Sequence, residues 1–128
     1  MKQIDQTYTI KAPIEEVWQA LTDAGVMDFW GAKPAKMDAR AGGEFSLWDG
    51  DIHGTNTKVE APHVLAQDWY GHDEPDRLYK VVFMLSFKDG TTTIHLQQAD
   101  VPDDQAKDME AGWRDYYFEP IKKLLETH

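Results

Sequence analysis

The chain has 128 residues, 41% hydrophobic and 12% aromatic, with no cysteine. That length suits one domain, expected over 1–128, and leaves no disulfide framework, thiol nucleophile or thiolate zinc site. The formal net charge is −10, from 23 acidic and 13 basic residues, a sign that repels phosphate backbones and argues against a nucleic-acid partner.

The opening residues, Met1-Lys2-Gln3-Ile4-Asp5-Gln6, hold no apolar signal core. No stretch approaches the roughly 20 apolar residues of a membrane span, so a cytoplasmic protein is expected. Ile4, Tyr8 and Ile10 share one side of an alternating run, with Asp5, Thr7, Thr9 and Lys11 on the other. This predicts a first strand with one buried face. Ala12-Pro13 opens a helix whose first turn carries Glu15 and Glu16, where acidic residues suit the dipole. Ile14, Val17, Trp18 and Leu21 recur at helical spacing and mark its buried face. A second short helix is expected from Val26 to Trp30, after a break at Gly25.

From Lys36 to Ala99 the pattern is strand-like. Gly42-Gly43, Asp49-Gly50 and Asp89-Gly90 are turn signals, and Ala61-Pro62 breaks a strand that ends near Val59. Gly71-His72-Asp73-Glu74-Pro75-Asp76 reads as a polar loop. Phe45 and Leu47 alternate. So do Leu65, Gln67 and Trp69, then Val81, Phe83 and Leu85, then Ile94, Leu96 and Gln98. Some six strands at hairpin spacing predict an antiparallel sheet, or six to seven with the first strand included.

A long helix is expected from about Pro102 to Glu126. Asp103 and Asp104 suit its N-terminal end, and Lys122 and Lys123 its C-terminal end. Ala106, Met109, Trp113, Tyr116, Tyr117, Ile121 and Leu124 follow helical spacing. Met109, Trp113, Tyr116 and Tyr117 are expected to face the sheet. Gly112 weakens the helix by roughly 1 kcal/mol relative to alanine. Pro120 removes a backbone hydrogen bond and is expected to kink it. The fold class is therefore α+β, a curved antiparallel sheet wrapped on the long C-terminal helix, with two short helices after the first strand.

The run from Ile10 to Asp23 (IKAPIEEVWQALTD) resembles the opening of the START-like, or SRPBCC, superfamily, whose arrangement is the helix grip. Gly42 to Gly50 (GGEFSLWDG), with Ile52 and Gly54, resembles the activator of heat-shock-protein-90 ATPase homologue family. So do Val101-Pro102-Asp103-Asp104 and the later Gly112-Trp113-Arg114-Asp115-Tyr116-Tyr117. The resemblance covers almost the whole chain. It implies a cavity between helix and sheet that takes a small apolar or amphipathic molecule. The alternatives it implies are a chaperone-associated protein and a cyclase- or hydrolase-like enzyme using the same cavity. The namesake activators carry this domain behind a separate N-terminal domain that contributes to chaperone binding, a region without counterpart in this sequence. Similar sequences often carry histidine where this chain has Gln98.

Chemistry beyond the resemblance is sparse. Ser46 and Ser86 are the serines, and neither sits in a nucleophile elbow; no phosphate-loop motif occurs. Asp49, Asp51, His53, Gly54 and Glu60 match a calcium loop only in part, and His63, His72, His95 and His128 lack zinc spacing. No catalytic residue, metal or cofactor is expected. An enzyme would draw on Tyr116, Tyr117, Gln67 or Asp49. The expected ligand-contacting set is aromatic: Trp30, Phe45, Trp69, Phe83, Trp113, Tyr116 and Tyr117, with Leu47, Leu85 and Met109. Gln67 and Gln98, inward by alternation, are expected to partner buried tryptophan or tyrosine. Val82 and Met84 point outward and suggest a weak homodimer as the alternative to a monomer.

Overall fold

A computed structural model describes residues 1–71 and 74–126, with side chains over 1–71 and 77–126. The alternating segments become strands β1 (Lys2–Ile10), β2 (Lys36–Met37), β3 (Glu44–Leu47), β4 (Ile52–Glu60), β5 (Val64–Gly71), β6 (Glu74–Lys88) and β7 (Thr91–Val101). They form one sheet in the order β1-β7-β6-β5-β4-β3-β2. Each neighbouring pair is antiparallel. The first strand closes beside the last, and the rest follow as hairpins, which is the helix-grip order. Two of the expected turns have left-handed residues, Asp49 with Gly50 and Asp89 with Gly90, as tight hairpins require.

Alternation sorts the sheet into two faces. Leu65, Val81, Phe83, Leu85, Ile94 and Leu96 point inward and are buried. Phe83 sits opposite Leu65 on one side and Leu96 on the other. Val82 and Met84 lie on the outer face and are half-buried. Gly54 is required by close approach: a Cβ there would stand 1.8 Å from the Asp68 carbonyl oxygen. Of the expected polar loop over residues 71–76, His72 and Asp73 lie outside the described residues. Gly71 still belongs to β5 and pairs with Glu74 of β6, so strand pairing extends further than the polar composition suggests.

Helices α1 (Ile14–Thr22) and α2 (Ala24–Trp30) follow β1. The break between them falls at Asp23, not Gly25. Asp23 has an extended backbone, φ −111° and ψ 117°, and its carboxylate accepts the Val26 N–H at 3.2 Å. An aspartate cap satisfies an otherwise unpaired helix donor, which places the boundary two residues early. The Trp30 indole N–H donates to the Ala20 carbonyl at 2.8 Å, locking α2 against the end of α1.

The C-terminal helical segment has three parts: α3 (Asp103–Gly112), a π-helical turn (Trp113–Phe118) and α4 (Glu119–Glu126). The irregularity expected at Pro120 is thus a widened turn just before it. That turn changes which side chains face the sheet. Trp113, Tyr117 and Phe118 are buried, while Tyr116 is 70% exposed. Tyr116 was expected inward on an α-helical period. The wider turn swings it out and brings Phe118 in, where it stacks on Tyr8 at 4.2 Å. Polar ties fix the segment along β1: Gln6 donates to the Glu110 carbonyl, Lys122 to the Thr9 carbonyl, and the Lys11 N–H to Glu126. Among the described residues, no helix is long and apolar enough to cross a membrane.

Candidate functional site

Between the C-terminal segment and one end of the sheet lies a cavity of about 600 Å³. The β3–β4 hairpin contributes Trp48 and Asp51, and β4 contributes Ile52. Trp69, Tyr70 and Gly71 come from β5, Tyr79 from β6 and Gln98 from β7. Met109 and Gly112 of α3 and Trp113, Tyr116 and Tyr117 of the π-turn close it. The volume is in the range of small-molecule sites, and the lining is mostly aromatic. Gly112 has a helical backbone, yet a Cβ there would meet nothing within 4 Å. The missing side chain therefore leaves open space at the cavity wall.

The rings interlock. Trp69 lies 4.7 Å from Trp113, and Trp113 lies 5.0 Å from Tyr117. Trp30 braces Tyr117 from behind at 4.8 Å. Polar atoms are matched by the two expected glutamines. The Trp69 N–H donates to Gln67 Oε1 at 2.6 Å, and Gln67 in turn donates to Asn56 Oδ1 at 2.8 Å. Asn56 passes its own N–H to the Asp38 carbonyl at 2.7 Å. The Trp113 N–H donates to Gln98 Oε1 at 2.8 Å. These hydrogen-bonded amides fix ring orientation. Tyr117 differs. It is 2% exposed, and its hydroxyl has no hydrogen-bond partner among the described residues. Burial pushes its pKa well above the usual tyrosine range.

Six residues of the expected set line the cavity: Trp69, Gln98, Met109, Trp113, Tyr116 and Tyr117. Trp30, Phe45, Leu47, Gln67, Phe83 and Leu85 are placed elsewhere, in the packed core. Trp30, Phe45 and Phe83 pack against lining rings from the core side. The residues proposed for an enzyme do not converge either: Gln67 is held between Asn56 and Trp69, and Asp49 is exposed in its turn. The partial calcium loop is pulled open, because β4 is extended through Glu60 at roughly 3.3 Å per residue.

Trp48, Asp51, Ile52, Tyr70, Gly71, Tyr79 and Gly112 line the cavity without having been expected among the contacts. For Trp48 a signal existed in its place beside the Asp49-Gly50 turn. The structure holds it at φ 51°, followed by Asp49 at φ 57°. A bulky residue in the left-handed region is strained by about 1–2 kcal/mol. Three hydrogen bonds secure it: Trp48 N–H to the Ala32 carbonyl, Asp49 N–H to the Pro34 carbonyl, and the indole N–H to the Gly31 carbonyl.

Comparison with known proteins agrees with this architecture. Residues 11–126 match the family described as Activator of Hsp90 ATPase homolog 1-like protein. An uncharacterized protein of Schizosaccharomyces pombe is 28% identical over 95% of this chain and 37% of its own length. A mouse protein, Activator of 90 kDa heat shock protein ATPase homolog 2, is 28% identical over 88% of this chain and 34% of its own. The chain therefore spans about a third of the length of these relatives. The crystal structure of an HSP90 activator from Plasmodium falciparum superposes with a TM-score of 0.88 at 24% identity, covering 97% of this chain and 96% of that one. CalU16 from Micromonospora echinospora superposes at 0.78 with 27% identity, over 97% and 78%. With the match covering nearly the whole sequence, the chain belongs to the family of Activator of Hsp90 ATPase homolog 1-like proteins.

Proposed function

We propose that the chain binds a small apolar or amphipathic molecule in the cavity between sheet and C-terminal segment. The observation that carries this reading is an aromatic-walled space of about 600 Å³ left open beside Gly112. A core filled for stability alone gains from closing such space, since voids forfeit dispersion contacts. The test is titration with the neutral dye Nile red, read by its emission and by quenching of tryptophan. Saturable one-to-one binding that Gly112→Leu weakens is expected. Absence of saturable binding sinks the reading.

A second reading, association with an Hsp90-type chaperone, is favoured by the relatives described as activators of its ATPase. The matched region is about a third of the length of those relatives. Measuring Hsp90 ATPase turnover with and without the chain decides it. An unchanged rate at saturating chain excludes activation.

A further inference from the structure

The polar atoms around the cavity are unequally matched. Each indole N–H on its wall already has an acceptor: Gly31 for Trp48, Gln67 for Trp69 and Gln98 for Trp113. The Tyr79 hydroxyl reaches Gln105. Two donors remain beside Trp113. One is the Tyr117 hydroxyl, on a residue that is 2% exposed and lines the cavity, with no protein acceptor among the described residues. The other is the Gln98 amide nitrogen, which meets only the thioether sulfur of Met109 at 3.6 Å. A thioether is a weak acceptor. Both donors flank Trp113, since Gln98 accepts its N–H and the Tyr117 ring lies 5.0 Å away.

A donor that opens on the cavity without a protein acceptor suits a ligand acceptor atom there. Each of the two glutamine oxygens already accepts one indole N–H. A carbonyl oxygen has two lone pairs and takes two donors. The walls set the shape: Trp69 and Trp113 line the cavity as a packed ring pair, and planar ligands pack well on aromatic rings. Charge sets a further limit. Asp51 is the one carboxylate or base among the described lining residues. Arg77 stands beyond the wall, over the Tyr79 ring at 5.6 Å. A ligand carboxylate would thus meet an aspartate, with no cation among the described lining residues to pair it.

We propose that this cavity selects planar aromatic carbonyl compounds without negative charge, with the carbonyl oxygen accepting from Tyr117 and Gln98. The proposal rests on the ligand-binding reading above and specifies its chemistry. Three tricyclic probes of one skeleton test it by equilibrium dialysis: fluorenone, fluorene and fluorene-9-carboxylate. On the unaltered chain, fluorenone binds about ten-fold more tightly than fluorene, the worth of one good hydrogen bond, and the carboxylate binds least. Tyr117→Phe brings fluorenone down to the level of fluorene. Equal binding of fluorene and fluorenone, or preference for the carboxylate, overturns this proposal and leaves the ligand-binding reading standing. Failure of all three probes and of Nile red overturns both. A fluorenone preference that survives in folded Tyr117→Phe removes the assigned role. The probe comparison on the unaltered chain decides the matter even where that variant does not fold.

Discussion

Trp48 and Gly112 both line the cavity, and each gives up local stability in its own way. Trp48 keeps a large ring on a left-handed backbone, where glycine or asparagine would be relaxed. Gly112 keeps no side chain on a helical backbone, φ −63° and ψ −43°, where alanine would be preferred. Nothing crowds that position, for a Cβ there finds no atom within 4 Å. Gly112→Ala is therefore expected to raise stability by about 0.5–1 kcal/mol through helix propensity. Its methyl group narrows the cavity, so Nile red affinity falls in the same variant. Urea unfolding and dye titration on one preparation measure both. A destabilised Gly112→Ala would mean that the glycine answers to packing rather than to open space.

Strands and helices are legible in the sequence where period and burial agree. Ile94, Leu96 and Gln98 alternate, lie on one strand and point inward, because a half-buried sheet forces period two. The two glutamine partners were legible for the same reason: an inward amide among indoles must pair with them. The C-terminal segment was legible as a helix but not in its phase. An α-helical period puts Tyr116 beside Tyr117, whereas the π-turn buries Tyr117 with Phe118. The Glu119 N–H still bonds five residues back, to the Arg114 carbonyl. The next residue is Pro120, which has no N–H to offer. The missing bond thus falls where the wide turn returns to α geometry, a place that tolerates its loss. Sequence spacing shows the proline but not which turn absorbs it. The cavity mouth was hidden for another reason. Trp48 and Asp51 sit in a hairpin turn, where alternation ends and side-chain direction depends on backbone dihedrals.

At the scale of the whole molecule, the ring cluster couples stability to alkaline pH. The chain has five tyrosines. Burial raises the Tyr8 pKa to about 12, its ring stacked on Phe118. Burial also raises that of Tyr117, more strongly. In the unfolded chain both phenols lose their protons near pH 10. Above that pH the folded state holds protons that the unfolded state has released, so stability falls as pH rises. The stabilisation is complete below the unfolded pKa and is lost as pH climbs toward the folded values. For the fully buried Tyr117 the slope approaches about 1.4 kcal/mol per pH unit at its steepest. Urea midpoints measured from about pH 9 to about pH 11 are expected to drop. Lysine deprotonation acts in the same range, so the informative quantity is the difference from Tyr117→Phe. That variant has no phenol to titrate at this site, and its midpoint is expected to fall less steeply. Parallel slopes for the two proteins would place the Tyr117 hydroxyl in water.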